Sequence, residues 1–276
     1  MLTGVEELGF SDGTVLISDV APVTGEIIGS DGGETLSGGG DAESFIAGGG
    51  DDRAEGGGGD DSIDGGSGND TLIGGAGNDV LLGGLGNDTL NGGDGDDDIT
   101  GGSSDEDLRE VVYAGIGNDN VDAGYGNDLV YGQDGNDSIS GGFGSDDLQG
   151  QEGGDVITGG ALSDLIYGGA GNDFVNGGFG YDRINGGAGA DKFFHLGVFD
   201  HGSDWIQDYN AAEGDVLVFG NTSAGADDFQ VNFARTANEA GERSGEDDVA
   251  EGVVIYRPTG QIMWALVDGQ VRMRSI

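Results

Sequence analysis

The chain has 276 residues, of which 64 are glycine, 2 proline and none cysteine; 53 acidic residues against 9 basic ones give a formal net charge of -44. That balance argues against nucleic acid as a partner, because phosphate binding needs a basic patch, and the absence of cysteine rules out disulfides and thiolate metal sites. Glycine this abundant without a three-residue period is not collagen, and no apolar run is long enough to span a membrane. Low hydrophobicity with so much charge would alone predict disorder. The acidic residues are periodic, however, which points to bound hard cations.

Residues 1–28 form a lead-in. The stretch from Met1 lacks a basic region followed by an apolar one, so it does not read as a secretory signal. Val5 to Phe10, a turn at Asp12-Gly13, and Val15-Leu16-Ile17 read as strand, turn and strand.

From Gly29 to Phe194 a nine-residue frame holds. Nine units start at Gly29, Gly38, Ala47, Gly56, Gly65, Gly74, Gly83, Gly92 and Gly101. Four extra residues, Glu110-Val111-Val112-Tyr113, break the register, and nine more units start at Ala114, Ala123, Gly132, Gly141, Gly150, Gly159, Gly168, Gly177 and Gly186. The most regular part, Gly65 to Thr100, reads GGSGNDTLI, GGAGNDVLL, GGLGNDTLN, GGDGDDDIT. The sixth position is acidic throughout: Glu34, Glu43, Asp52, Asp61, Asp70, Asp79, Asp88, Asp97, Glu106, Asp119, Asp128, Asp137, Asp146, Asp155, Asp164, Asp173, Asp182 and Asp191. The eighth is apolar throughout, from Leu36 to Phe193.

The spacing predicts a turn over the first six residues of each unit and a short strand over the last three. Glycine allows positive φ and lets turn carbonyls fold inward, and Asn or Asp at position five, as at Asn69, Asn78 and Asn118, suits left-handed geometry. Strand alternation sends the eighth side chain inward and the seventh and ninth outward. Two units make one coil. With about one aliphatic residue buried per nine, the scaffold has little apolar burial to set against backbone entropy, and its facing carboxylates repel. Ca²⁺ fits the need, taking 6–8 oxygen ligands in flexible geometry. Mg²⁺ requires near-ideal octahedral ligation, and Zn²⁺ prefers nitrogen or sulfur, of which the chain offers almost none.

After His195 the period is lost. Trp205 to Tyr209 and Asp215 to Phe219 read as strands around an Ala-Ala-Glu-Gly turn, Phe229 to Phe233 as another, residues 235–252 as a polar mobile loop, and Val253–Tyr256 with Ile262–Val267 as a hairpin around Arg257-Pro258-Thr259-Gly260.

The repeats resemble the RTX, or haemolysin-type, calcium-binding nonapeptide domain. The tail phrases GADKFFHLG, WIQDYNAAEGDVLVF and IYRPTGQIMWALVDG resemble the C-terminal capping module of serralysin-type proteins, and VEELGFSDGTVLI resembles the segment that often closes an RTX module; a plain hairpin capping the first repeat remains the other reading of it. The resemblance implies an all-β fold: a right-handed parallel β-roll of about nine coils over residues 29–194, followed by a small C-terminal β cap over 195–276 that carries an uncleaved type I secretion signal. It implies that each ion lies between a unit and the next but one. The first unit gives the carbonyls of positions two and four and its Asp, the second those of positions one and three and its Asp. Carried over residue by residue, position-two and position-four carbonyls come from Gly48, Gly50, Gly57, Gly59, Gly66, Gly68, Gly75, Gly77, Gly84, Gly86, Gly115, Gly117, Gly124, Gly126, Gly135, Gly142, Gly144, Gly153, Gly169 and Gly171. Position-one and position-three carbonyls come from Gly65, Ser67, Gly74, Ala76, Gly83, Leu85, Gly92, Asp94, Gly132, Asp134, Gly141, Phe143, Gly150, Glu152, Gly159, Ala161, Gly168, Ala170, Gly177, Phe179, Gly186 and Ala188. The carboxylates are those of the fifteen sixth-position aspartates. One such site combines Gly57, Gly59 and Asp61 with Gly74, Ala76 and Asp79; another sets Gly124, Gly126 and Asp128 against Gly141, Phe143 and Asp146. About a dozen ions are expected. The departures at Asp41, Ser104 and Leu162 (position four), at the three glutamates and at Glu110–Tyr113 imply weak or absent ions at the first two coils and around 101–114.

No catalytic centre is expected. HExxH and Gly-x-Ser-x-Gly are both missing; His195 and His201 beside Asp200 and Asp204 offer the residue types of a zinc site but, without HExxH, read as surface or capping residues; and the sixth-position column accounts for most carboxylate pairs. Outward Leu129, Tyr131, Leu165, Tyr167 and Phe174 read either as a partner surface or as contacts with the tail. Three functions follow. The first is a calcium-binding module exported by type I secretion machinery, the C-terminal part of a larger secreted bacterial protein with a possible upstream domain. The second is an adhesin or surface-layer piece. The third is a polysaccharide-modifying enzyme.

Overall fold

The computed structural model describes residues 14–16, 26–102, 104–105, 109–198, 201–221, 223–234 and 251–266. The chain divides into two units, Met1–Ile139 and Ser140–Ile276, and strand Ser138–Phe143 falls at the division. Each unit is a parallel β-roll in which successive strands alternate between two sheets, the all-β architecture expected from the repeats.

In the first unit one sheet takes Thr14–Leu16, Thr35–Ser37, Arg53–Gly58, Thr71–Ala76, Thr89–Asp94, Val111–Ile116 and Leu129–Asp134 in that order, all parallel. The other takes Glu26–Ser30, Ser44–Gly49, Ser62–Ser67, Val80–Leu85, Asp98–Gly102 and Asn120–Asp122. Register is in frame, Leu72 facing Ala54 on one side and Leu90 on the other. The eighth-position residues Leu36, Phe45, Ile63, Leu72, Leu81, Leu90 and Ile99 are buried, and their neighbours at seven and nine are half-buried or exposed, as in Thr71 and Ile73.

The strands are longer than the sequence suggests. A typical one, Thr71–Ala76, runs from position seven of one repeat through position three of the next. The two glycines keep to the ladder, Gly75 pairing with Gly93, so only positions four to six turn. Positive φ falls at positions two and four, as at Gly75 (117°) and Gly77 (130°), and not at the Asn of position five. That Asn instead bridges turns: Asn87 donates its amide to the Asn69 Oδ1 at 3.0 Å.

The four-residue interruption also lies elsewhere. Val111, Val112 and Tyr113 pair with Thr89, Leu90 and Asn91, so Val112 takes the apolar column and Glu110 the acidic one. The extra residues therefore fall between Gly102 and Glu110, outside the paired positions, and the ladder on either side stays intact. Ile99 still pairs with both Leu81 and Val121. Glu106 and Leu108, assigned to those columns from sequence, lie outside the described residues.

In the second unit one sheet holds Asp147–Glu152, Leu165–Ala170, Arg183–Ala188 and Asp204–Ile206, all parallel, then Gln261–Leu266 parallel to the last, and Glu251–Tyr256 and Phe229–Ala234 antiparallel to their neighbours. The other holds Val156–Ala161, Phe174–Phe179, Lys192–His195 and Val216–Phe219, all parallel. The roll thus outlasts its sequence period: Ile206 pairs with Ile184 and Leu217 with Phe193. Trp205 and Val216 do not flank one turn of a hairpin; they extend different sheets. The expected hairpin around Pro258 is present. Most of the lead-in and the 235–250 part of the expected loop lie outside the described residues; within the lead-in, Thr14–Leu16 pairs parallel with Thr35–Ser37. Among the described residues no helix is long and apolar enough to cross a membrane, a fact that bears on helices alone.

Candidate metal sites

The sixth-position aspartates sit at the end of a turn, two residues before a buried apolar side chain, and so on the same inward face. Within each unit their Oδ1 atoms accept hydrogen bonds from the backbone amide of the acidic residue one coil earlier. In the first unit the Asp52 amide donates to Asp70 at 2.8 Å, Asp61 to Asp79 at 2.7 Å, Asp70 to Asp88 at 2.8 Å and Asp79 to Asp97 at 2.8 Å. In the second, Asp146 donates to Asp164 at 2.9 Å, Asp155 to Asp173 at 2.8 Å, Asp164 to Asp182 at 2.9 Å and Asp173 to Asp191 at 3.0 Å. The other oxygen, Oδ2, is buried without a hydrogen-bond partner at Asp52, Asp61, Asp70, Asp79, Asp97, Asp119, Asp164, Asp173, Asp182 and Asp191. A buried carboxylate oxygen left in this state is costly unless a cation meets it.

The glycines show where carbonyl oxygens point. A β-carbon on Gly75 would lie 2.2 Å from the Gly57 oxygen, one on Gly77 2.2 Å from the Gly59 oxygen, and one on Gly74 2.2 Å from Asp79 Oδ2. The structure therefore brings Gly57, Gly59, Gly74 and the Asp79 carboxylate to one pair of turns. The Ala76 carbonyl accepts the Gly59 amide at 2.8 Å and keeps a second lone pair. The same relation recurs in the second unit, where a β-carbon on Gly168 would lie 2.4 Å from Asp173 Oδ2 and one on Gly187 1.9 Å from the Gly169 oxygen.

Electrostatically the columns are under strain. Burial first, and then the charges of neighbouring acids, pushes the carboxyls of Asp52, Asp61 and Asp70 up to about 6, and those of Asp97, Asp164 and Asp173 up to about 7. The donor chemistry fits a hard divalent cation: carboxylate and backbone carbonyl oxygens, with no imidazole or thiolate in the repeats. Among the described residues no three His, Asp or Glu side chains converge on one point, so backbone oxygens would have to complete each shell.

The irregular units differ as their residues dictate. Glu34 folds back onto its own turn, taking the Ser30 amide at 3.0 Å and the Ser30 hydroxyl. Glu43 takes the Gly39 amide at 3.1 Å. The extra methylene spends these carboxylates on turn amides. Leu162 holds φ of 84° at a position where the regular units place glycine.

Sequence reading missed four acids. Glu110 is fully buried and its amide donates to Asp128 Oδ1 at 2.9 Å; shifting the frame to put Val112 in the apolar column would have found it. Asp204 and Asp215 are buried two residues before Ile206 and Leu217, a D-x-apolar signature that survives after the glycines are gone. Asp215 accepts the amides of Asp191 at 3.0 Å and Asn210 at 2.7 Å, and Asp208 those of Gly186 at 2.9 Å and Gly187 at 2.6 Å. Of the two readings of His195 and His201, surface or capping, the surface one fails: both are buried, their rings 4.8 Å apart.

A parallel β-roll with buried carboxylates along its turns and glycine carbonyls aimed between them defines a repeat protein built to hold cations. The model for the RTX calcium-binding nonapeptide repeat, four copies long, matches residues 28–62, 37–72, 46–81, 73–105, 113–148, 149–184 and 167–197. These spans cover more than half the chain, which belongs to the RTX calcium-binding repeat family. No curated protein matches it.

Proposed function

We propose that this calcium-binding RTX module folds on binding calcium after type I secretion, as the C-terminal part of a larger secreted bacterial protein. The supporting observation is the row of buried aspartate Oδ2 atoms that no donor of the protein meets. Bound calcium supplies the positive charge and the oxygen-seeking valence that these atoms lack. Without it, burying like charges one coil apart works against the roll, and the chain is held open in a form that suits export. The ligands are the sixth-position aspartates with the carbonyls of positions one to four, and about a dozen ions fill the two columns. Ions are weakest at the first two coils, where Glu34 and Glu43 are engaged with turn amides.

Circular dichroism of the chain during a calcium titration tests the reading. The expected result is a cooperative gain of β-structure from a disordered baseline. A full β spectrum in excess chelator would overturn it.

A further inference from the structure

The last coil of the second unit carries a cluster that no repeat accounts for. His201-Gly202-Ser203-Asp204 follows the RTX match, which ends at residue 197, and lacks the paired glycines. Its backbone nevertheless adopts the repeat turn. The Gly180 amide donates to the His201 carbonyl at 3.0 Å, as the Gly171 amide does to Ala188 at 2.8 Å, and the Trp205 amide donates to the Asp182 carbonyl at 2.7 Å, as Lys192 does to Asp173 at 2.7 Å. Gly202 has φ of 106°, and a β-carbon on it would lie 1.4 Å from the Gly180 oxygen, just as one on Gly189 would lie 1.5 Å from the Gly171 oxygen. The Gly180 carbonyl therefore points at this turn as carbonyls in the repeats do.

The side chains differ from a closed end. Asp204 is 1% exposed, and its carboxylate oxygens, like Asp182 Oδ2, are buried outside the normal geometry of a hydrogen bond; the only groups that act on the Asp204 carboxyl as weaker partners are the amide and carboxyl of Asp182 itself, so the two acids face each other. The other column ends in the opposite way, both oxygens of Asp215 being met by backbone amides.

We infer that Asp182 and Asp204, with the Gly180 carbonyl, form a further divalent-cation site of calcium type beyond the recognised repeats, whereas the column ending at Asp215 closes on itself without an ion. The site ties the terminal strands to the roll, because the Asp204–Ile206 strand is the one on which Gln261–Leu266 pairs in the same sheet, Asp204 opposite Trp264. The inference rests on the calcium-binding reading above.

The test uses the full chain with Trp205→Phe, which leaves the buried Trp264 as the single tryptophan. Terbium serves as the probe ion, read by emission under tryptophan excitation, and calcium stoichiometry is measured by native mass spectrometry. Adding Asp204→Asn is expected to remove one calcium and most of the Trp264-sensitised terbium signal while the calcium-induced β spectrum persists. Asp215→Asn is expected to leave the ion count unchanged. An unchanged count and undiminished terbium signal in the Asp204 variant would overturn this site alone; no calcium bound by the parent chain would overturn the site together with the calcium reading. If Asp204→Asn does not fold, Asp204→Glu, which keeps the charge and displaces it by a methylene, takes its place: an unaltered terbium titration there also overturns the site.

Discussion

A single Asp in these columns does two things with two oxygens. Asp79 takes the Asp61 amide with Oδ1 and leaves Oδ2 in the space between turns. Asp79→Asn keeps the first role and removes the charge required for the second, so the calcium midpoint of folding should rise on the order of tenfold, a shift in the range set by ligand charge. An unchanged midpoint in a titration would count against Asp79 as a ligand. Leu162 is the converse case, a residue at odds with its backbone: φ of 84° costs a branched side chain about 1–2 kcal/mol, partly offset by the entropy glycine adds to the unfolded chain. Leu162→Gly should stabilise the calcium-loaded protein by roughly 0.5–1 kcal/mol, measured by denaturant unfolding; a loss of stability would refute the strain account.

At the scale of the strand, the roll depends on one inward residue per repeat. Leu90 is fully buried between Leu72 and Val112 in its ladder. Leu90→Ala should cost about 2–5 kcal/mol, the usual range for such a truncation, and should raise the calcium needed to fold. The longer strands have a cause in the same register. Gly74 has no room for a β-carbon beside Asp79 Oδ2 and the Gly92 oxygen, so a residue that looks like turn in the sequence is instead the part of the ladder that passes the carboxylate. The extra residues before Glu110 are accommodated because they fall between paired positions, and the acidic column keeps its bond from the Asp97 amide to Asp119 at 2.8 Å.

For the whole molecule the net charge of -44 is the governing quantity. The column carboxyls raised to about 6 or 7 bind protons more tightly in the fold than in the unfolded chain, where they keep the ordinary value near 3.8. Such a shift leaves stability unaffected below about 3.8, lowers it as pH rises through the interval, and imposes its full penalty above about 7. In excess chelator, acidifying from about pH 7.5 to about pH 5 should therefore increase β-structure, with protons standing in for cations. A circular dichroism signal that instead falls over this interval would contradict it. In limiting calcium the same acidification should weaken ion binding, because protons and cations compete for the same oxygens.

The repeat architecture, its inward and outward faces, the calcium chemistry and the carboxylates of the regular units were legible in the sequence, because period and side-chain type are local properties and position eight cannot be apolar for so long by chance. Three things needed the tertiary structure. The frame around Glu110 could be set only by pairing across coils, since the chain alone allows the inserted residues to be placed on either side of it. The turn geometry, with positive φ at positions two and four, follows from carbonyls of the neighbouring coil. The continuation of the acidic column to Asp204 and Asp215 was hidden because the glycines that mark a repeat are gone there and the surviving D-x-apolar signature is too short to mark a turn by itself; stacking against Asp182 and Asp191 identifies it.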